Sequence, residues 1–391
     1  MPARASRLDK TPPYLFGEIA KLKAKALAEG RDLIDFGIGD PDQPTPRDII
    51  DKLYEAALDP ATHRYDETPY GEPFFLQAVA EWYRRRYGVS VDPEGGEILL
   101  LIGSKEGLAH LAWAYIEPGD VALVPDPAYT VYAINARMAG GETYVMPLKR
   151  ENGFLPDLSA IPSDVAKRAK LMFVNYPNNP TGAVATMEFY QQAVQFAREH
   201  DILLVNDAAY SEVVYEGYRH PSLLQVEGAK EVAVEFNSLS KMYNMTGWRI
   251  GFAAGNRDAI ANLNKMKSYI DSKQFAAVSR AAAYALLYAD NTPTLNLYQR
   301  RRDILVEGLQ SIGWHVEKPK ATFYVWVPAP GDMSSIEFAK QLLERAGILA
   351  IPGIGYGEHG EGYVRFSITV SGDHHGERVE EAVRRIREQF G

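Results

Sequence analysis

One short stretch of this chain holds side chains that could do covalent chemistry on a small molecule. They are Ser238, Ser240, Lys241 and Arg249. This stretch lies between two apolar runs, 232–236 and 250–255, that predict buried strands. A lysine amine can form an imine with an aldehyde, while serine hydroxyls and a planar guanidinium suit a phosphate dianion. An aldehyde and a phosphate on one small molecule describe pyridoxal phosphate.

This pattern is weak by itself, because Ser-x-Ser-Lys also occurs on exposed loops. Two strand ends that come earlier in the chain supply other contacts that the same cofactor needs. Asn179, in an Asn-Pro-Thr-Gly segment after the apolar run 171–174, and Tyr210 can hydrogen-bond the ring's phenolate oxygen. Asp207, after the run 202–205, can keep the pyridine nitrogen protonated. Each segment also has a simpler interpretation, as turn chemistry or as a helix cap.

Taken in this order, the three segments resemble the class I/II pyridoxal-phosphate-dependent aminotransferases of fold type I, over essentially the whole chain. The resemblance implies that Lys241, Asp207 and Tyr210 are catalytic. It implies cofactor contacts from Tyr65, Ser104, Lys105, Tyr129, Asn179, Asp207, Tyr210, Ser238, Ser240, Lys241 and Arg249. It implies substrate contacts from Tyr14, Gly39, Lys105, Tyr129, Asn179 and Arg365.

Four further segments resemble, more narrowly, the LL-diaminopimelate aminotransferases. They are residues 12–16, 37–42, 102–107 and 243–249. This resemblance implies amino transfer between LL-diaminopimelate and 2-oxoglutarate, giving tetrahydrodipicolinate and glutamate, in lysine biosynthesis. Aspartate, alanine and N-succinyl-diaminopimelate remain alternatives, because an extra residue after Tyr65 leaves open whether Glu67 or Glu72 contacts the distal ammonium. A non-catalytic binding protein is a further alternative, against which the pairing of Lys241 with Asp207 argues.

Several of these residues have local reasons for their assignment as well as simpler alternatives. Ser104 and Lys105 open a helix after a strand, where free backbone amides favour a phosphate, although Lys105 could be a solvated side chain. Tyr129 follows the run 121–124 and could stack on the pyridine ring or belong to the core. By resemblance, Tyr65 reaches the cofactor phosphate of a neighbouring subunit, which implies a homodimer; it could instead be an exposed loop tyrosine.

Strands that alternate with helices predict an α/β fold with a mainly parallel sheet and ligands at the carboxyl ends of its strands. We expect a large cofactor-binding domain over 46–285. A smaller α/β domain should comprise 1–45 and 286–391. Within these, the pattern predicts that 258–288 is largely helical and that His315 and Val316 form a short strand.

Composition excludes several other classes of protein. The 391 residues carry a net charge of -9, which argues against a nucleic-acid-binding face, and contain no cysteine for disulfides or thiolate metal sites. No apolar run approaches membrane-spanning length and no signal core follows Met1, so we expect a cytoplasmic protein. The spaced glycines over 355–360 precede a strand instead of opening a helix. We expect the pair His374 and His375 to lie at the surface, without a metal.

Overall fold

The computed structural model describes residues 1–10 and 15–391, in which helices and strands alternate along most of the chain. The helices are α1 (Leu15–Ala28), α2 (Arg47–Ala57), α3 (Pro73–Tyr87), α4 (Ser104–Tyr115), α5 (Val131–Ala139), α6 (Ser163–Arg168), α7 (Met187–His200), α8 (Ala229–Val232), α9 (Leu239–Met242), α10 (Arg257–Lys267), α11 (Ala276–Tyr288), α12 (Thr292–Gln310), α13 (Ser335–Ala346) and α14 (Glu377–Phe390). The strands are β1 (Ile34–Asp35), β2 (Ile98–Leu101), β3 (Val121–Asp126), β4 (Glu142–Pro147), β5 (Ala169–Val174), β6 (Leu203–Asp207), β7 (Ala233–Ser238), β8 (Gly251–Gly255), β9 (Tyr324–Pro328), β10 (Ile348–Leu349), β11 (Ile351–Pro352) and β12 (Tyr363–Ser367).

A seven-stranded sheet forms the centre of the large part of the molecule, with strand order β2-β8-β7-β6-β5-β3-β4. Strands β4, β3, β5, β6 and β7 are parallel to one another, and β8 is antiparallel to both β7 and β2. The inner strands are buried almost throughout because helices cover both faces of the sheet. The predicted α/β fold with a mainly parallel sheet is therefore confirmed.

A second, smaller group of elements packs around the C-terminal part of the chain. Strands β11, β12 and β9 form an antiparallel sheet, and β1 pairs in parallel with β10, which brings the N-terminal segment to the C-terminal one. Helix α12 packs against α14, whereas α11 packs against α2 and α3. The division at residues 45 and 285 stays a prediction, and these pairings support it.

One local prediction was wrong. His315 and Val316 form no strand, because the chain turns tightly there and the Val316 amide donates to the Trp314 carbonyl at 3.1 Å. The segment 258–288 is largely helical, as predicted, and consists of α10 and α11 with a loop between them that carries the exposed side chain of Tyr269.

A buried ion pair fixes the turn that follows β1. Arg301 of α12 donates two hydrogen bonds of 2.9 Å to the Asp42 carboxylate and one of 3.0 Å to the Ile368 carbonyl. Both charged side chains are almost fully buried, and removing one partner of such a pair typically costs about 3–5 kcal/mol. The turn containing Gly39 is thus held against the segment that follows β12.

None of the helices in residues 1–10 and 15–391 has the length and apolar character that a membrane span requires.

Candidate active site

The carboxyl ends of β5, β6 and β7 and the first turn of α4 border a cavity of about 650 Å³. The predicted site residues that line it are Gly39, Ser104, Lys105, Tyr129, Asn179, Asp207, Tyr210, Ser238, Ser240, Lys241 and Arg249. These residues come from widely separated segments of the sequence. They meet because the carboxyl ends of parallel strands lie at one edge of a sheet.

Lys241 reaches the cavity from α9, which directly follows β7. Its Nζ donates a 3.1 Å hydrogen bond to the carbonyl oxygen of Gly39. Burial lowers the pKa of the Lys241 amine to about 8, an effect that the Asp40 carboxylate opposes and the Arg249 guanidinium reinforces. An amine with such a pKa can take up and release a proton near neutral pH, as a general base must.

Asp207 ends β6 and is 5% exposed. Its Oδ2 accepts a 2.8 Å hydrogen bond from the hydroxyl of Tyr132, while its Oδ1 is buried and has no partner among the described residues. Burial raises the pKa of Asp207 to about 6, and the hydrogen bond from Tyr132 opposes this rise. An unpaired buried carboxylate oxygen is costly, so this position favours a cationic hydrogen-bond donor from a ligand.

Two asparagines of the 175–182 turn connect the cavity to Arg365. The Asn175 side chain donates to the Asp207 carbonyl at 2.6 Å and accepts from the Asn179 amide at 2.9 Å. The Asn179 Oδ1 in turn accepts a 2.8 Å hydrogen bond from Arg365, whose other terminal nitrogen donates to the Gly37 carbonyl at 2.7 Å. These bonds hold Asn179 and Arg365 in fixed positions relative to the end of β6.

At another part of the cavity lie several residues that are suited to binding a phosphate group. Gly103, with φ +77°, precedes α4, and a Cβ added there would lie 3.0 Å from the guanidinium carbon of Arg249. Arg249 therefore packs directly against the turn that presents the amide of Ser104. Ser238 caps α9 by accepting from the Ser240 amide at 3.3 Å. Amides at a helix start, hydroxyls and a guanidinium together form an anion-binding concavity.

Three predicted residues, Lys105, Tyr129 and Gly39, make further contacts around the cavity. The Lys105 ammonium lies 5.5 Å from the centroid of the Tyr129 ring. Gly39 lies so close to Tyr324 that a Cβ added there would be 2.6 Å from the Cε1 of that ring. Only glycine fits at residue 39 without displacing Tyr324.

Three predicted site residues are placed differently from the rest. Tyr65 is 83% exposed and does not line this cavity. Arg365 is fully buried beside the cavity and reaches it through Asn179. Tyr14 lies outside the described residues. His374 and His375 are exposed, as predicted, and their backbone amides donate to the Glu377 carboxylate.

The structure adds two tyrosines that the sequence did not single out. Tyr132 lies on α5, three residues after Tyr129, and its hydroxyl contacts Asp207. Tyr324 opens β9, and its hydroxyl lies 2.9 Å from that of Tyr210. Tyr129 lies before α5 and Tyr132 in its first turn, and their rings pack edge-on with centroids 6.1 Å apart.

Comparison with known proteins identifies the family. The family model described as aminotransferase class I and II matches residues 31–386. This chain is a class I/II aminotransferase. The aminotransferase is 56% identical, over 99% of its own length and 98% of the relative's, to the LL-diaminopimelate aminotransferase of Moorella thermoacetica.

Solved structures of the same fold cover the aminotransferase almost completely. Substrate-bound BacF from Bacillus subtilis has a TM-score of 0.93 at 39% identity, covering 100% of this chain and 99% of the other. A probable N-succinyldiaminopimelate aminotransferase from Thermus thermophilus has a TM-score of 0.89 at 40% identity, covering 96% and 100%. The predicted family and the predicted transaminase activity are confirmed.

Proposed function

We propose that the aminotransferase binds pyridoxal 5'-phosphate in this cavity and transfers an amino group between LL-diaminopimelate and 2-oxoglutarate. The observation that carries the cofactor assignment is the buried, unpartnered Oδ1 of Asp207 in the same cavity as the Lys241 amine. A protonated pyridine nitrogen is a cationic donor of the kind that this oxygen lacks. The concavity formed by Ser104, Ser240 and Arg249 fits the phosphate group.

Pyridoxal phosphate, when bound, supplies an electron sink for the pair of electrons left as a substrate loses its Cα proton. Lys241 would hold the cofactor covalently through Nζ and, once released by substrate, would move that proton. Asp207 would keep the ring nitrogen protonated. Tyr210 and Asn179 would hydrogen-bond the phenolate oxygen, and Tyr129 would lie against the ring.

Arg365 would bind the substrate α-carboxylate, since its guanidinium can form a bidentate pair with a carboxylate. Every amino-acid substrate carries that group, so Arg365 does not select among them. Selection requires contacts to the distal end, for which we propose Lys105, with Gly39 and Tyr14 bordering the substrate. Support for LL-diaminopimelate comes from the near-complete alignment with the relative that carries this name.

A panel of amino donors tests the substrate assignment. With 2-oxoglutarate as acceptor, we expect LL-diaminopimelate to give the highest kcat/KM. Aspartate and alanine should be slower, because each lacks the distal amino and carboxylate groups of LL-diaminopimelate and leaves the polar contacts proposed for that end unpaired. The panel also includes meso-diaminopimelate, N-succinyl-diaminopimelate and lysine. A higher kcat/KM with any of these donors would reject LL-diaminopimelate while leaving the transaminase activity intact.

We also propose a homodimer in which Tyr65 contacts the cofactor phosphate of the other subunit. Large apolar side chains support an interface beside Tyr65: Tyr269, Ile270 and Phe275 are 86%, 54% and 43% exposed. The loop that carries these side chains contacts the segment just before Tyr65, since the Phe275 ring packs edge-on against the His63 ring with centroids 5.4 Å apart. Exposed apolar groups that cluster in this way mark interaction surfaces.

Mixing two inactive variants tests the shared site. Lys241→Ala chains supply Tyr65, and Tyr65→Phe chains supply Lys241, so each heterodimer should contain one fully native site. We expect mixing under conditions of subunit exchange to restore turnover, once Tyr65→Phe alone has been shown to be defective. Exchange is checked with differently tagged chains. Absence of recovery in demonstrated heterodimers would show that each site is built from one chain.

A further inference from the structure

The hydroxyls of Tyr324 and Tyr210 meet across the boundary between the central sheet and the C-terminal part of the molecule. Their oxygen atoms are 2.9 Å apart, and both side chains are buried, with exposures of 2% and 7%. Tyr210 follows β6 and lines the cavity, whereas Tyr324 opens β9. Tyr324, from the small antiparallel sheet, thus contacts Tyr210, a residue beside the large sheet that we propose binds the cofactor.

Tyr324 also packs on two residues proposed to bind substrate. The guanidinium carbon of Arg365 lies 4.1 Å from the centroid of the Tyr324 ring. Gly39 approaches the same ring so closely that any side chain at residue 39 would displace it. Tyr324 is therefore fixed on one side by Arg365 and Gly39, and presents its hydroxyl to Tyr210 on the other.

The hydrogens of the two hydroxyls restrict how the pair can be arranged. Burial raises the pKa of both Tyr210 and Tyr324, so both stay protonated near neutral pH. Two hydroxyls share one hydrogen in the bond between them, which leaves one hydrogen for another acceptor. If Tyr210 donated to Tyr324, it would have no hydrogen left for an acceptor in the cavity.

We propose that Tyr324 is a positioning residue: it donates its hydrogen to Tyr210 and so directs the Tyr210 hydrogen to the phenolate oxygen of the cofactor. Accepting a hydrogen bond also polarises the Tyr210 hydroxyl, which makes it a stronger donor. Tyr324 acts only through Tyr210, and Arg365 with Gly39 holds it in place. This inference rests on the proposed use of pyridoxal phosphate.

The test is a pH titration of the visible absorption of the holoenzyme, in the parent and in Tyr324→Phe, Tyr210→Phe and the double variant. A donor to the phenolate oxygen stabilises its anionic form and lowers the midpoint of the titration. We expect Tyr324→Phe to raise the midpoint by about 0.1–0.3 pH unit, because the Tyr210 hydroxyl then loses the polarisation that an accepted hydrogen bond gives it. Tyr210→Phe should raise it further, and the double variant should equal Tyr210→Phe.

Two additional variants separate this role from general packing. Tyr215→Phe removes another buried hydroxyl, which donates to the Thr322 carbonyl at 2.6 Å, and should leave the midpoint unchanged. Gly39→Ala should displace the Tyr324 hydroxyl and raise the midpoint without altering Tyr324 itself, which covers the case of a Tyr324→Phe chain that fails to fold. Because the Gly39 carbonyl also accepts from Lys241, this shift counts for Tyr324 only if it disappears when Gly39→Ala is added to Tyr210→Phe. Arg365, Asp207 and Asp40, the charged groups that act on the two hydroxyls, are unaltered in all these variants.

The possible outcomes separate a failure of the proposed function from a failure of the proposed role of Tyr324. A parent protein that binds no pyridoxal phosphate would overturn both the proposed function and this inference. Two other results, each with a normal parent spectrum, would overturn the inference alone. One is an unchanged titration midpoint in Tyr324→Phe. The other is a midpoint shift from Tyr324→Phe that is just as large when Tyr210→Phe is already present.

Discussion

Lys241→Ala is expected to lower the turnover number for LL-diaminopimelate by about 10²–10⁴-fold, the usual contribution of one general acid–base group. The amine of Lys241 has a pKa of about 8 and is held 3.1 Å from the Gly39 carbonyl, so it is placed and poised to move a proton. The variant should also lose the covalent link to the cofactor. Steady-state kinetics and the visible spectrum of the purified variant measure the two effects separately.

Lys241→Arg is the matched control for charge. Arginine keeps the positive charge but stays protonated at all relevant pH values, so it cannot act as a base. We expect it to be as inactive as Lys241→Ala, with a thermal unfolding midpoint close to that of the parent. Near-parent turnover in either variant would show that Lys241 contributes no proton transfer.

Asp207→Asn is expected to keep the cofactor but to lose about 10²–10³-fold in turnover, the scale found for removing one preorganised electrostatic group. Asparagine is nearly the same size and can still accept the hydrogen bond that Tyr132 donates to Asp207. It lacks the negative charge that raises the pKa of a pyridine nitrogen. Cofactor content is read from the absorption spectrum, and turnover from single-turnover kinetics with the amino donor.

Asp126→Asn provides the comparison for Asp207→Asn. Asp126 ends β3 as Asp207 ends β6, but its carboxylate accepts backbone hydrogen bonds of 3.2 and 3.1 Å from Glu358 and His359. Its replacement should affect stability and leave turnover near the parent value. If Asp207→Asn also turned over at the parent rate, the proposed role of Asp207 would be wrong.

The sheet and most of the cavity could be predicted from the sequence because they depend on local patterns. Lys241, Asp207 and Asn179 each follow an apolar run, and parallel strands bring such positions to one edge. The contact between Tyr324 and Tyr210 could not be predicted in this way. It depends on how the antiparallel sheet packs against the parallel one, and within its own strand Tyr324 is an ordinary buried aromatic.

The incorrect strand prediction fails because pairing depends on the rest of the chain. His315 and Val316 have strand-like composition, but the tight turn at Trp314 leaves their backbone without a neighbouring strand. The loop between α10 and α11 is likewise held by residues far away in sequence, since Lys273 donates to the carbonyls of Asp66 and Thr68. Such long-range contacts override local propensity.

The ion pair between Asp42 and Arg301 has a consequence for the order in which the site can form during synthesis. The two residues are 259 positions apart, so at about 5–20 residues per second the ribosome adds Arg301 roughly 13–52 s after Asp42. The strand partner of β1 emerges later still, because Ile34 pairs with Ile348. The nascent chain therefore carries the complete parallel sheet, with Lys241 and Asp207, before the Gly39 turn can be anchored through Asp42. A chain cut short ahead of α12 would have the proposed cofactor residues and the contact of Lys241 with Gly39, but would lack the ion pair that anchors this turn.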